Sequence, residues 1–269
     1  MQLAHTYYYF KEALDSDTCN RIIRMGNDRF KEIEKVGIST GARTFGGNHK
    51  ENFMREGNPN EGVARPDEIT MEDLKKDTGL DVREVEKKYY VRDSEVCWFN
   101  DQWMYDLIYP YLNTANKTAG WHWQFDHSES FQFTKYTSNG FYGWHADGSS
   151  DHPGKYKRYI PGITPNDSVD NLGYSNKIPR GFTDDPKMVG KVRKLSMTIN
   201  LNNPGEYSGG NLKFDFGPHA DGERYHECTE IRPQGSIIIF PSFVYHQVTP
   251  IEKGTRYSLV LWTLGDPWV

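Results

Sequence analysis

The spacing of apolar and polar positions changes character near residue 129. Before it, two stretches carry apolar residues at helical intervals. Cys19, Ile22, Ile23, Phe30 and Ile33 follow the potential caps Ser16 and Asp17 and stop at Gly37, which predicts a helix packed on a sheet. Asn100 precedes a second run bearing Trp103, Leu107, Ile108 and Leu112, with a kink or interruption expected at Pro110. Between them, residues 38 to 66 lack periodicity and read as loop, Thr70 with Asp73 opens a short helix ending at Gly79, and the chain turns strand-like from Tyr89 to Phe99. From Glu129 onward the segments "ESFQFTKY", "KLSMTINLN", "NLKFDF", "SIIIF" and "RYSLVLW" are short strand candidates separated by Gly, Pro and Asn turns. Such a series implies an antiparallel sandwich or jelly roll. The Gly-, Pro-, Asp- and Lys-rich stretch from Ser149 to Lys194 shows no element and is expected to control substrate access.

The chain has 269 residues, enough for one integrated domain, with residues 1–128 supplying N-terminal helices, loops and supporting strands and 129–269 the β core. A formal net charge of −5 gives no basic field, so no nucleic-acid partner is expected, and an anionic ligand needs a local positive pocket. Cys19, Cys97 and Cys228 are far apart, which argues against a disulfide framework or a structural zinc site. The N-terminal stretch has no signal-peptide pattern and the apolar runs are too short to span a bilayer, so the expectation is a soluble cytoplasmic protein without a membrane partner. Aromatic residues make up 14% of a chain whose mean hydropathy is −0.78, which suits an aromatic-lined groove or bulky core filling.

Within "FYGWHADGSS", His145 and Asp147 are two apart, so on a strand both address one point, and Gly148 lets the chain turn away. Taken alone, the pair is a weak signal. Far downstream, "GSIIIFPSFVYHQVTPIEKGTRYSLVLW" brings His246 after a Pro turn and then a strand that starts at Arg256. Two imidazoles and one carboxylate form the facial set that suits non-haem Fe(II), and His145, Asp147 and His246 supply it. Iron with one carboxylate carries one positive charge, and a bound dicarboxylate such as 2-oxoglutarate leaves one negative charge on its distal end. Arg256 can neutralise that end in bidentate fashion. Strand alternation sets Arg256, Ser258, Val260 and Trp262 on one face, where Ser258 can share the carboxylate and Trp262 can wall the pocket.

"GFYGWHADG", "RKLSMTINLNNPGEYSGGNLKF" and the segment around His246 together resemble the prolyl 4-hydroxylase-like branch of the Fe(II)- and 2-oxoglutarate-dependent dioxygenases, nearest to its bacterial and phage members. The resemblance covers about residues 129 to 264. It implies a mainly β fold with some α: a double-stranded β-helix of the jelly-roll or cupin type, its N-terminal helices packed on the major sheet. It also implies that His145, Asp147 and His246 are the catalytic metal ligands, that Arg256 and Tyr136 bind 2-oxoglutarate, and that ascorbate serves as a further cofactor. The implied reaction hydroxylates a C–H bond, with a peptidyl proline as the first candidate and release of succinate and CO2. Asn200 stands where some prolyl hydroxylases have a second tyrosine, and Asp147 favours hydroxylation over halogenation, because related halogenases have Ala or Gly there. Trp98, Trp121, Trp123 and Trp144 are expected to shape the substrate groove, whether for a peptide, a protein or a small molecule, and Arg92 to present a positive contact. The pair Gly209 and Gly210 reads as a tight turn or bulge. Two other readings keep the same ligands: a metal-binding jelly roll without turnover, against which Arg256 speaks, and a zinc hydrolase with an activated water.

Overall fold

In a computed structural model, the period-two alternation becomes antiparallel strands that pair into one curled sheet of twelve strands among the described residues, which are 5–37, 40–45, 90–148, 154–164, 178, 181–217 and 224–268. The expected short helix at 70–79 lies outside them. In chain order the elements are β1 (Tyr8–Phe10), α1 (Ser16–Lys35), β2 (Gly41–Phe45), β3 (Tyr90–Phe99), α2 (Gln102–Thr118), β4 (His127–Ser128), β5 (Phe131–Tyr136), β6 (Phe141–His145), β7 (Lys157–Arg158) and β8 (Phe182–Thr183). They continue with β9 (Val192–Asn200), β10 (Tyr207–Gly209), β11 (Leu212–Asp215), β12 (Tyr225–Glu227), β13 (Ile237–Pro241), β14 (Tyr245–Val248), β15 (Ile251–Gly254) and β16 (Arg256–Gly265).

The strand order is β1-β13-β9-β16-β5-β3-β6-β14-β11-β12. Strand β3 is the hinge of this ribbon. Its end from Glu95 to Phe99 pairs with β5, while Arg92 and Asp93 pair with Tyr142 and Phe141 of β6, so the sheet folds back on itself there. From β6 onward the chain alternates between the two halves: β6, β11 and β14 lie in one, β9, β13 and β16 in the other. That winding is the double-stranded β-helix expected from the sequence.

Side-chain alternation divides the larger half into two unlike faces. Outward, Phe131, Phe133, Leu195, Met197, Ile199, Ile237, Ile239, Leu259 and Leu261 form one core with Cys19, Ile22 and Phe30 of α1 and Met104, Ile108 and Leu112 of α2. Inward stand Gln132, Thr134, Tyr136, Thr198, Arg256, Ser258 and Trp262. Apolar burial on the outer face supplies the stability, at roughly 25 cal/mol per Å2 removed from water. The inner face is thereby left for polar groups.

Three local expectations are corrected. Asp15, rather than Ser16 or Asp17, caps α1: its Oδ1 accepts from the Thr18 N–H at 2.7 Å. Helix α2 runs through Pro110 uninterrupted, because Pro110 is exposed and the carbonyl deprived of its N–H partner can turn to water. The 149–194 stretch does contain an element, since β7 pairs in parallel with β8.

At Gly26, α1 touches the sheet so closely that a Cβ would collide with the ring of Phe133. That ring is held between Phe30, at 5.6 Å, and Tyr257, stacked at 5.6 Å. Gly26→Ala should therefore destabilise the fold. A helix-propensity gain of about 1 kcal/mol is outweighed by overpacking of about 1–3 kcal/mol. The melting temperature should fall by roughly 2–4 °C; a rise would show that α1 can shift away from the sheet.

Candidate metal centre

Strands β6 and β14 pair so that His145 lies opposite His246, and the register shifts between His246 and Val248. Asp147 follows in the turn after β6. Its neighbour Gly148 donates its N–H to the Ser242 carbonyl at 2.7 Å, and a Cβ there would crowd Ser242 at 3.3 Å. A glycine lets the turn approach this closely. One oxygen of Asp147 is 3.4 Å from His145 Nε2 and the other is 3.7 Å from His246 Nε2. All three side chains are buried and their ligand atoms lie within 4.8 Å of one another.

Each imidazole is oriented from behind. His145 Nδ1 is 2.8 Å from the Gly143 carbonyl and His246 Nδ1 is 3.0 Å from the Val244 carbonyl. A carbonyl only accepts, so both Nδ1 atoms carry a proton, which leaves Nε2, facing Asp147, as the atom of each ring that can ligate a metal. Tyr142 stacks on His145 with ring centroids 3.5 Å apart, and Phe240 packs edge-on against His246. Burial works against the charge on Asp147, yet His246, His145 and Arg193 outweigh it and hold the carboxyl well below the usual range. The site therefore keeps an ionised oxygen donor between two imidazole nitrogens.

Sequence reasoning missed the support behind Asp147. Arg193 of β9 donates from Nη1 to the Asp147 carbonyl at 3.2 Å and grips Glu129 through Nε and Nη2, the latter at 2.7 Å, while its guanidinium lies 4.0 Å over the Trp262 ring. Burial disfavours the Arg193 charge, but Glu129 more than compensates and raises its pKa. The two residues are far apart in sequence and belong to no short motif, so only the folded sheet reveals the pair.

Between the sheet halves lies a cavity shared by the three ligands, Arg92, Gln132, Thr134, Tyr136, Arg256, Ser258 and Trp262. Arg256 is 1% exposed, and its Nε finds no acceptor among the described residues. Its guanidinium carbon is 5.6 Å from the Tyr136 ring, and Gly210 lies against its stem, where a Cβ would sit 3.0 Å from Cδ. Trp262 Nε1 is likewise buried without a partner. A buried cation and a buried donor left without acceptors call for a ligand that brings oxygens.

His145, Asp147, His246, Arg256, Tyr136, Ser258 and Trp262, singled out from sequence, thus converge on one cavity. Asn200, which stands in place of the second tyrosine of some prolyl hydroxylases, does not line the cavity. Asn200 spends its amide on the Asn202 and Arg232 carbonyls and on the Tyr207 hydroxyl, so it faces a turn. Trp121 belongs to the main core and Trp123 stacks on it, so neither lines the cavity; Trp98 lies opposite Gln132 with its ring 6.2 Å from that of Trp262, on the inward face, and Trp144 packs against Tyr225. Gly209 and Gly210 form a turn at positive φ, next to a register shift, as expected.

Residues 170–264 match the family model described as the 2OG-Fe(II) oxygenase superfamily. Among curated proteins, a PKHD-type hydroxylase of Nitrobacter winogradskyi is 31% identical over 41% of this chain and 42% of its own length. One from Maricaulis maris is 39% identical over 29% of this chain and 33% of its own. The chain thus spans less than half the length of these curated relatives. Among solved structures, a Pseudomonas putida prolyl-4-hydroxylase is 16% identical, with a TM-score of 0.46 over 96% of this chain and 92% of that one. A viral collagen prolyl hydroxylase from Paramecium Bursaria Chlorella virus-1 is 14% identical, with a TM-score of 0.48 over 97% of each chain.

The Arg193 and Glu129 side chains are 12% and 8% exposed, so removing one charge strands the other in the interior. Glu129→Gln should cost about 3–5 kcal/mol of stability, measured by denaturant unfolding. It should also weaken divalent-metal binding by about tenfold or more, because Asp147 loses its anchor. Metal affinity unchanged in a destabilised variant would limit the pair to a structural role.

Proposed function

We propose that this chain, a member of the 2OG-Fe(II) oxygenase superfamily, is an iron- and 2-oxoglutarate-dependent hydroxylase acting on a C–H bond of an organic substrate. The single observation that carries the reading is Arg256: a guanidinium buried without an acceptor for Nε, in the same cavity as two imidazoles and a carboxylate whose donor atoms converge. The donor set suits Fe(II), and the orphaned cation suits the far end of a dicarboxylate. Iron and 2-oxoglutarate, when bound, supply the oxygen activation that no amino-acid side chain provides.

The chain's own residues bind, orient and exclude water. His145, Asp147 and His246 would hold the metal, with their orientation set by the Gly143 and Val244 carbonyls and by Arg193. Arg256 would take the distal carboxylate from the start of β16, where it pairs with Tyr136 of β5, and Ser258, next on the same face, would offer its hydroxyl. Phe240, Val260 and the Trp262 ring close the wall against solvent. Asp147 would hold the metal where related halogenases have Ala or Gly, so the product in this reading is an alcohol.

Anaerobic addition of Fe(II) and 2-oxoglutarate should produce a weak visible charge-transfer band, and admitting air should produce succinate. His145→Ala should abolish both. Arg256→Gln should keep metal binding but raise the 2-oxoglutarate requirement by about tenfold or more, the scale of a lost charge-assisted hydrogen bond of 1.5–3 kcal/mol. A zinc hydrolase would show neither band nor succinate, and succinate formed at the wild-type rate by the His145 variant would refute the assignment.

A further inference from the structure

The cavity holds a second guanidinium besides that of Arg256. Arg92 of β3 is 7% exposed and lines the same space. Its bonds among the described residues all go to neutral acceptors: Nε to Ser94 Oγ at 2.8 Å, Nη2 to Gln132 Oε1 at 2.8 Å and, at the limit, to Thr134 Oγ1 at 3.5 Å. Its guanidinium carbon lies 4.6 Å from the ring of Tyr142, the residue stacked on His145. The acids nearest in its strand do not serve it. Asp93 falls on the opposite face by alternation, and Glu95 is held by Lys135 at 2.7 Å and by Thr40.

Charge balance gives this cation a purpose. Fe(II) and Asp147 leave one positive charge, a dianionic cosubstrate turns that into one negative charge, and Arg256 brings the total to zero. Arg193 and Glu129 cancel each other. Arg92 then remains as a single uncompensated charge in a buried position, which is unfavourable until an anion arrives. With Nε and Nη2 occupied, Nη1 is the part of the fork with no acceptor among the described residues, and it is open to a carboxylate oxygen.

Resting on the hydroxylase reading, we propose that Arg92 selects a substrate carrying its own free carboxylate, a small organic acid or free amino acid rather than an internal residue of a peptide. The test uses the full chain loaded with Mn(II) and 2-oxoglutarate, titrated calorimetrically with a panel of free amino acids, proline included, and small monocarboxylic acids. Each acid is run beside its neutral amide, and a prolyl peptide with blocked ends completes the panel. At least one acid should bind about tenfold or more tightly than its amide. That preference should vanish in Arg92→Gln and also in Gln132→Glu, which satisfies Arg92 from within and guards against a folding defect in the first variant.

The absence of any preference for acid over amide across the panel, or tighter binding of the blocked peptide, overturns the proposal. So does an Arg92→Gln protein whose 2-oxoglutarate affinity falls as far as its acid affinity, since Arg92 would then be a cosubstrate contact. A wild-type chain that fails to bind Mn(II) with 2-oxoglutarate strikes the hydroxylase reading itself, and is distinguishable from lost selectivity in a protein that binds both.

Discussion

Charge buried on the inner face of a curled sheet is the constraint around which this molecule is organised. Taking an ionised group out of water is unfavourable by several kcal/mol unless it is matched by hydrogen bonds and counter-charge. Asp147 meets that condition with two imidazoles and the Arg193 bond to its backbone. Arg193 meets it with Glu129. Arg256 does not meet it from within the described chain, and a structure that keeps such a group at 1% exposure has been shaped around something that enters.

The sheet makes this arrangement tolerable by separating duties between its faces. On β5, Phe131 and Phe133 go to the helices while Gln132, Thr134 and Tyr136 go to the cavity; on β16, Leu259 and Leu261 go out while Arg256, Ser258 and Trp262 go in. The same strand therefore supplies both apolar burial and binding chemistry, and a one-residue slip in register would exchange them wholesale. Helix α1, seated against Phe133 through Gly26, and α2 press on the outer face, and their contacts hold the register on which the inner face depends.

How much of this was legible in the sequence follows from how far apart the partners are. Period-two runs located β5, β9, β11, β13 and β16, because alternation is a local signal. His145 and Asp147 were legible as a strand-end pair, and His246 with Arg256 as a spaced continuation of the same motif. The Glu129–Arg193 pair was not, since two common charged residues, one in the link between β4 and β5 and one on β9, carry no pattern until β9 is placed beside β16. Trp121 and Trp123 misled for a related reason: bulk and aromaticity suit a core as well as a groove, and Trp121, whose Nε1 bonds to the His5 carbonyl, went to the core with Trp123 stacked on it. Helix α2 passed through Pro110 because tertiary packing of Met104, Ile108, Leu112 and Ala115 outweighs one missing hydrogen bond on the exposed side.

The curl at β3 explains why support and selection can sit on one scaffold. Its far end, at Cys97 and Phe99, is part of the outer core, whereas Arg92 lies where β3 leaves β5 and pairs with β6, the strand that ends in His145. A residue at that hinge faces the metal strand and the cosubstrate wall together, and it is carried by the backbone that joins them. Its position is thus set by the packing of the outer face, while its charge is answered only inside the cavity. A change in ligand preference can therefore arise from altering Arg92 or Gln132 without redesigning the sheet, since neither side chain belongs to the apolar cluster that holds the two halves in place.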